Sequence, residues 1–169
     1  EVKSRFINDG KFLAAAARLF ARLRLGGSAE ECFIRLLQIE PQRAATYNDL
    51  AQLYTEHTQY SKARDLCLKG LMIEPNAPVL WNTLANAQAC MGQTGEAIKS
   101  YRKALELAPG LAAGRSNLLL SMHYSSEITA DELVEEHRRY GRICAQPAAA
   151  ARPFDRSPEP GRRLRIGYT

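Results

Sequence analysis

The stretch "LMIEPNAPVLWNTLA", residues 71–85, joins the apolar end of a predicted helix to a proline and to a tryptophan six residues beyond it. Prolines recur 34 residues apart, at Pro41, Pro75 and Pro109. The aromatic residue recurs as well, because Tyr47 stands six residues after Pro41 as Trp81 stands after Pro75. A fixed period of this length is typical of arrays in which each unit buries its apolar face against the next. The stretch therefore predicts the junction between two stacked units.

The 34-residue phase holds through the rest of each unit. Apolar or small residues recur at intervals of three and four positions in both halves of the unit. They are Tyr47, Leu50, Ala51 and Tyr54 in the first half and Ala63, Leu66, Cys67, Gly70 and Leu71 in the second. Such spacing places apolar residues on one face of a helix, so each unit contains two amphipathic helices. Small residues such as Ala51 and Ala63 let those helices approach closely. The proline ends the second helix because it lacks the amide hydrogen that the helix needs.

A period of 34 with large apolar residues, a leucine, two small residues and a proline in this order resembles the tetratricopeptide repeat. The phase extends backwards to Ala17 and Phe33, which makes three units rather than two. The resemblance implies an all-α fold, a superhelix of antiparallel helix pairs with an extended C-terminal tail. We expect three tetratricopeptide repeats over residues 7–109.

Beyond Pro109 the phase is lost after one helix. We expect degenerate repeat or linker helices over residues 110–146, one from about 113 to 124 and one from about 130 to 141. Ser28 with Glu31, and Thr129 with Glu132, have the spacing of capping boxes at helix starts. Residues 147–169 contain four of the eight prolines and end in alternating apolar residues, which predicts a linker and the first strand of a further domain.

Four features together resemble the junction in O-linked N-acetylglucosamine transferases and SPINDLY-like proteins. They are the repeats, an Asn-Leu-Leu helix that ends near Tyr124, the segment "EHRRYG" at 136–141 and the segment "RRLRIGY" at 162–168. In that family a repeat superhelix leads into a two-lobed glycosyltransferase domain. The resemblance implies a catalytic domain beyond Thr169 that would use a uridine-diphosphate sugar. No catalytic, cofactor-binding or metal-binding residue of that domain falls within this chain, so the chain alone should be inactive.

In such solenoids the first helix of each unit lines a concave groove, at positions seven and eleven after each proline. Side-chain amides at these positions can donate and accept hydrogen bonds to the backbone of an extended peptide. The family's asparagine ladder lies one residue later, where this chain has Asp49, Thr83 and Asn117, so only Asn117 matches it. The candidate peptide-groove residues are Asn48, Gln52, Asn82, Asn86 and Asn117, with Ser116 as the next in phase. A solvated polar helix face is the alternative interpretation.

Other chemistries are less well supported. The net charge of +5 is spread along the chain, which argues against nucleic acid, and no apolar run is long enough to span a membrane. We expect a cytoplasmic protein with buried, reduced cysteines and no metal site, because the four cysteines stand singly. A carboxylate clamp would need more cations than Lys11 and Arg18. His137 beside Glu136 indicates one packed histidine and one solvated glutamate rather than an acid-base pair.

These observations predict a protein-protein interaction solenoid that presents protein substrates to a glycosyltransferase domain beyond the chain. The alternative is a stand-alone tetratricopeptide adaptor or scaffold that binds a peptide in its concave groove. Both require a protein or peptide partner in that groove, and only the first requires a catalytic domain.

Overall fold

The computed structural model describes residues 9–144, which form eight α-helices in an alternating series. The first helices of the units are α1 (Gly10–Arg22), α3 (Ala44–Glu56), α5 (Pro78–Cys90) and α7 (Ala112–His123). The second helices are α2 (Gly26–Ile39), α4 (Tyr60–Ile73), α6 (Thr94–Leu107) and α8 (Ala130–Cys144). No strand occurs within residues 9–144. None of these helices has the length and apolarity required to cross a bilayer.

The first helices α1, α3 and α5 pack most closely on the second helix of their own unit, whereas α7 packs more closely on α6 than on α8. The second helices α2, α4 and α6 also pack on the first helix of the next unit. Three residues separate the helices of the α1–α2, α3–α4 and α5–α6 pairs, and so short a turn makes the paired helices antiparallel. One position of this turn has a positive φ in all three units, at Arg24 (61°), Thr58 (59°) and Gly92 (75°). The repeat thus extends to the backbone conformation of the turn, although only one of the three residues is a glycine.

Small residues sit where the two helices of a unit cross. Ala17, Ala51 and Ala85 of the first helices and Ala29, Ala63 and Ala97 of the second helices have no solvent-accessible surface. Larger apolar side chains fill the space on either side, including Phe33, Leu80, Leu84 and Leu118. The all-α repeat architecture predicted from the period is confirmed, and its core is divided into three clusters of buried residues along the stacked units rather than gathered at one centre.

The proline and the residue six positions later are joined by a hydrogen bond. Tyr47 donates its hydroxyl to the carbonyl oxygen of Pro41 at 3.0 Å, and Trp81 donates its indole N–H to that of Pro75 at 2.8 Å. In the next unit Arg115 occupies the position, and its Nη2 lies 3.3 Å from the carbonyl oxygen of Pro109. The constant spacing in the sequence therefore has a direct cause, because this side chain ties the start of each first helix to the end of the unit before it.

Arg115 also anchors the last helix. Its side chain is 5% exposed and forms an ion pair with Glu136 of α8, whose side chain is 13% exposed. Glu136 is therefore the packed residue of α8, whereas His137 is exposed with its Nε2 3.0 Å from that of His123. The prediction of a packed His137 and a solvated Glu136 was therefore wrong. The buried guanidinium of Arg115 requires a carboxylate partner, so α8 packs with Glu136 facing the stack.

The two predicted capping boxes have different outcomes. At α8, Thr129 N–H donates to Glu132 Oε2 at 3.0 Å and Glu132 N–H donates to Thr129 Oγ1 at 3.3 Å, which confirms the prediction. The hydrogen bonds from the Thr129 backbone and hydroxyl lower the pKa of Glu132. The prediction for Ser28 and Glu31 was wrong, because α2 already begins at Gly26 and no side chain caps it.

The helices predicted near 113–124 and 130–141 are found as α7 and α8, and α8 runs three residues further than expected. Cys32, Cys67 and Cys90 are free thiols, as predicted, but only Cys67 is buried and Cys90 is exposed. Burial raises the pKa of Cys67 to about 12. The linker and strand predicted for 147–169 lie outside the described residues.

Candidate functional site

The candidate groove is the face formed by the first helices α1, α3, α5 and α7. Two clefts open on it. One, of about 300 Å³, lies between α1 and α3 and includes Arg18, Asp49 and Gln52 in its lining. The other, of about 240 Å³, lies between the starts of α3 and α5 and includes Asn48 and Val79. Both are lined in part by residues at the groove positions derived from the sequence.

Asn48 is used inside the stack. It is only 7% exposed, and its Oδ1 accepts a hydrogen bond of 2.8 Å from the hydroxyl of Thr83 on α5. Thr83 stands at the position of the family's ladder, and it too is buried. The pair therefore ties α3 to α5, and the Oδ1 of Asn48 already has a partner within the protein.

Asn82 differs from Asn48, although it occupies the equivalent position. Its Oδ1 is buried and has no hydrogen-bond partner among the residues that the structure describes. Gly114 of the next first helix lies beside it, and a Cβ added to this glycine would be 2.9 Å from that oxygen. The glycine thus lets α7 approach α5 closely at this point. An unsatisfied buried acceptor is costly, which makes Asn82 the groove amide with the clearest need of a partner.

Asn86 and Asn117 are brought together. The Oδ1 of Asn86 accepts from the Nδ2 of Asn117 at 3.1 Å and from the hydroxyl of Tyr101 at 2.6 Å. Tyr101 is buried, and its burial raises the pKa of its hydroxyl, so the group stays a donor at neutral pH. The oxygen of Asn86 is therefore occupied by α6 and α7.

Gln52 is exposed and faces the cleft between α1 and α3. Arg18 and Asp49 form an ion pair across this cleft, with Nε and Oδ2 2.9 Å apart. Asp49 stands at the ladder position, so a carboxylate paired with a cation replaces the amide there. The charged side chains of the cleft balance, and apolar residues such as Phe33 and Leu53 also line it.

The sequence did not single out the apolar residues of the groove. Val79 near the start of α5 and Leu120 on α7 are 48% and 58% exposed, respectively. Leu120 stands eleven residues after Pro109, the position that Gln52 and Asn86 occupy in earlier units. The same phase marks Leu120, but its side chain lacks the hydrogen-bonding groups by which Gln52 and Asn86 were identified. The groove therefore changes from polar at α1 and α3 to partly apolar at α7.

Among residues 9–143, no group of three or more histidine, cysteine, aspartate or glutamate side chains is arranged to hold a metal ion. The glutamate and arginine side chains around Arg115 line a third cleft, of about 320 Å³, between α6, α7 and α8. It lies next to the second helices α6 and α8, and the Arg115–Glu136 pair within it serves to attach the last helix.

Comparisons with known proteins agree with this geometry. Residues 78–111, which cover α5 and α6, match the tetratricopeptide repeat family. Over 104 residues the chain is 31% identical to the peroxisomal targeting signal receptor of Candida albicans, and the alignment covers 59% of this chain and 18% of the receptor. The chain thus spans less than a fifth of this curated relative.

Two solved structures show the same arrangement of helices. A mutant of the Thermobaculum terrenum O-GlcNAc transferase superposes with a TM-score of 0.73 at 25% identity, over 82% of this chain and 26% of that one. MamA superposes with a TM-score of 0.74 at 17% identity, over 80% of this chain and 78% of that one. The described residues therefore have the fold of a tetratricopeptide-repeat superhelix, and residues 78–111 match the model of that repeat family.

Proposed function

We propose that the groove formed by the first helices binds an extended segment of a partner protein and that this binding presents the partner to a protein glycosyltransferase domain that follows the chain. The observation that carries the first half is Asn82, whose buried Oδ1 has no partner among the described residues. Rotation of the half-buried Asn82 side chain would turn this oxygen toward the groove, where a backbone N–H of a bound peptide would satisfy it. The bound segment would then gain a hydrogen bond whatever its side chains are.

The exposed groove residues around Asn82 suit a peptide backbone with mixed side chains. Gln52 offers an amide on the side of α3, and Val79 and Leu120 offer apolar contact on the sides of α5 and α7. Amide groups bind the backbone without regard to sequence, whereas apolar side chains select residues of similar polarity. We infer that the peptide is polar where it lies along α3 and carries an apolar side chain where it lies along α7.

The second half of the proposal rests on two kinds of likeness. The segment "EHRRYG" at 136–141 and "RRLRIGY" at 162–168 resemble the region that precedes the catalytic domain in O-linked N-acetylglucosamine transferases. The Thermobaculum terrenum O-GlcNAc transferase also superposes on 82% of the chain. Such a domain would take a nucleotide sugar as donor, and the residues of this chain would supply the acceptor protein to it.

Peptide binding can be tested with a random dodecapeptide library displayed on phage and selected on the 169-residue chain. The enriched peptides, labelled with a fluorophore, are then titrated by anisotropy. We expect Asn82→Ala and Gln52→Ala each to weaken binding about 3- to 10-fold, the loss of one or two hydrogen bonds, and Leu120→Arg to weaken it more than 10-fold. Met72→Arg, on the exposed side of α4, is the matched control and should leave binding unchanged.

If the three groove variants bind the selected peptides as well as the unchanged chain does, the groove is not the binding surface. The transferase half has a separate test in the gene sequence that continues beyond Thr169. A stop codon there would support the stand-alone adaptor, whereas a serine-, aspartate- and histidine-containing continuation of the family type would support the transferase. Calorimetry of this chain with a uridine-diphosphate sugar should show no binding, because the donor pocket is expected beyond the chain.

A further inference from the structure

Two histidines from different helices meet at the exposed junction of α7 and α8. The Nε2 atoms of His123, the last residue of α7, and of His137 on α8 are 3.0 Å apart. Their rings are inclined at 63° with centroids 5.2 Å apart, and both side chains are exposed. The two residues, called the histidine pair below, are fourteen positions apart in the sequence, so the turn between the helices is what brings them together.

The contact between the two rings uses one Nε2 as a donor and the other as an acceptor. If the donating ring moves its proton from Nε2 to Nδ1 by exchange with water, two unprotonated nitrogens face each other, and no net proton is lost. Neutral imidazole nitrogens are the commonest ligands of transition metals in proteins. The histidine pair can therefore act as a bidentate ligand.

The distance between the two nitrogens suits two ligands of one ion. Bonds from a metal ion to histidine nitrogen are about 2.0 to 2.1 Å long. Two such bonds at right angles place their nitrogens about 2.9 Å apart, and two at the tetrahedral angle place them about 3.3 Å apart. The observed 3.0 Å is closer to the first value. Ni²⁺ and Cu²⁺ take ligands at right angles and bind imidazole well, and a tilt of the two exposed rings would direct both lone pairs at one ion.

The surroundings of the histidine pair do not oppose a cation. The residues one helical turn away on the same faces are all uncharged, namely Leu119, Leu120, Leu133, Val134, Tyr140 and Gly141. The two arginines that follow His137 are paired with glutamates, Arg138 with Glu135 at 3.9 Å and Arg139 with Glu136 at 3.4 Å. No third histidine, cysteine or carboxylate joins the pair within the part of the chain that the structure describes, so water would occupy the other positions of the ion.

An ion bound to the pair would strengthen the attachment of α8, which is weaker than that of the earlier second helices. The connection between α7 and α8, residues 124–129, is twice as long as the three-residue turns of the earlier units, and α7 packs more closely on α6 than on α8. The Arg115–Glu136 ion pair holds α8 on the side that faces the stack. Since His137 follows Glu136 directly, the histidine pair would hold the helix on a different side.

We propose that the histidine pair binds one divalent transition-metal ion of the Ni²⁺ or Cu²⁺ type and that this ion fastens α8 to α7. The site concerns the attachment of the last helix and is independent of peptide binding in the groove. The sequence contains three histidines, and the third, His57, is a matched control. It follows the end of α3, its Nε2 lies beside Gly26, and the other two histidines are at the far junction.

The test is a calorimetric titration of the 169-residue chain with Ni²⁺ in a buffer that does not coordinate the metal. Ni²⁺ is used because Cu²⁺ oxidises thiols such as the exposed Cys90. We expect one ion per chain. His123→Gln and His137→Gln should each weaken binding at least about 10-fold, because only one imidazole remains, and His57→Gln should leave binding unchanged.

Hydrogen exchange of the α8 amides then tests whether the ion fastens the helix. At a Ni²⁺ concentration ten times the Kd, openings that separate α8 from α7 should become about 3- to 10-fold rarer in the unchanged chain, and exchange should slow accordingly. Exchange in His137→Gln should not respond to the metal. Exchange that is unchanged while Ni²⁺ is bound would contradict the proposed link between the helices.

Two further results would overturn the proposal. Equal affinity for Ni²⁺ in the unchanged chain, His123→Gln and His137→Gln would mean that the ligands lie elsewhere in the chain. One ion per two chains, with a doubled mass in light scattering that is lost in His137→Gln, would mean that the ion joins histidines of two copies rather than α7 and α8 of one.

Discussion

The indole Nε1 of Trp81 lies 2.8 Å from the carbonyl oxygen of Pro75, and the hydroxyl of Tyr47 makes the equivalent bond to Pro41 at 3.0 Å. We expect Tyr47→Phe, which removes only the donor, to lower the free energy of unfolding by about 0.5 to 1 kcal/mol. Trp81→Phe also removes apolar area and should cost about 1 to 2 kcal/mol. Urea unfolding measures both changes. An unchanged midpoint for Tyr47→Phe would mean that water replaces the bond without loss.

Gly70 lies where α5 comes closest to α4. A Cβ at this position would be 2.9 Å from Leu80 Cδ1 and 3.1 Å from Tyr47 Cβ. An alanine inside a helix normally stabilises by about 0.5 to 1 kcal/mol relative to glycine, but here we expect Gly70→Ala to destabilise by about 1 to 2 kcal/mol because the contact is overpacked. Gly141→Ala in α8 is the control, since none of the described residues packs within 4 Å of its added Cβ, and it should stabilise. Thermal unfolding that ranks the two variants in the opposite order would contradict the packing argument.

Thr58 has a φ of 59°, at the turn position that Gly92 fills with a φ of 75°. A β-branched residue in this left-handed conformation is strained by about 1 to 2 kcal/mol, whereas glycine adopts it freely. We therefore expect Thr58→Gly to raise the free energy of unfolding by about 1 kcal/mol, and Thr58→Ala, the control, to change it by less. The hydroxyl donates to the carbonyl of His57 at 2.7 Å, so the glycine variant must overcome the loss of that bond. A lower urea midpoint for Thr58→Gly would show that the bond outweighs the strain.

Glu136 is the partner of the buried Arg115 and connects α8 to the stack. Replacing one member of a buried ion pair leaves the other charge without compensation, so we expect Glu136→Ala to cost about 3 to 5 kcal/mol. Glu135→Ala, one residue away and exposed, should cost less than about 1 kcal/mol. Hydrogen exchange of the α8 amides reports whether the helix separates from α7. Equal protection of α8 in the two variants would mean that the apolar contacts of α8 suffice.

The Thr129–Glu132 cap makes the stability of α8 depend on pH. Hydrogen bonds from Thr129 lower the pKa of Glu132 from its usual 4.5, so the ionised form is favoured in the folded state. The stabilisation is present above pH 4.5 and is lost as the pH falls through the lowered folded-state value. We expect a nuclear magnetic resonance titration of Glu132 to show a pKa below that of the same residue in Thr129→Ala. Identical titration curves would mean that the Thr129 hydroxyl contributes nothing and that the backbone N–H of residue 129, which the alanine variant keeps, lowers the pKa alone.

The period of the sequence predicted the fold because every unit repeats the same residue types at the same positions. Each recurring residue makes its contacts within one unit or across one junction between units. The prolines, the aromatic residues six positions later and the fully buried alanines such as Ala51 and Ala63 therefore recur several times in one sequence. The last helix was harder. Arg115 occupies the position that holds an aromatic residue in the two earlier units. Its ion pair with Glu136 depends on a contact with α8 that has no equivalent in those units, so the period could not predict it.

The groove residues were predicted by position and not by environment. Asn48, Asn82 and Asn86 have similar places in the sequence, yet their oxygens differ in environment. That of Asn48 is bonded to Thr83, that of Asn86 is bonded to Tyr101 and Asn117, and that of Asn82 has no partner within residues 9–144. The difference arises from the neighbouring first helix, where Gly114 stands beside Asn82 without a side chain. Only the packing between units distinguishes an amide oxygen that is bonded to a neighbouring helix from one that is buried without a partner among the described residues.

The fully buried alanines at the helix crossings, Ala17, Ala51 and Ala85 with Ala29, Ala63 and Ala97, have a consequence for recognition. An alanine side chain has no rotamers to exchange, so the spacing between helices at these buried positions is set largely by the backbone. We expect a trough built in this way to change its width little from one ligand to another. Differences in affinity among ligands should then arise mainly from how much order each ligand must acquire to lie in it.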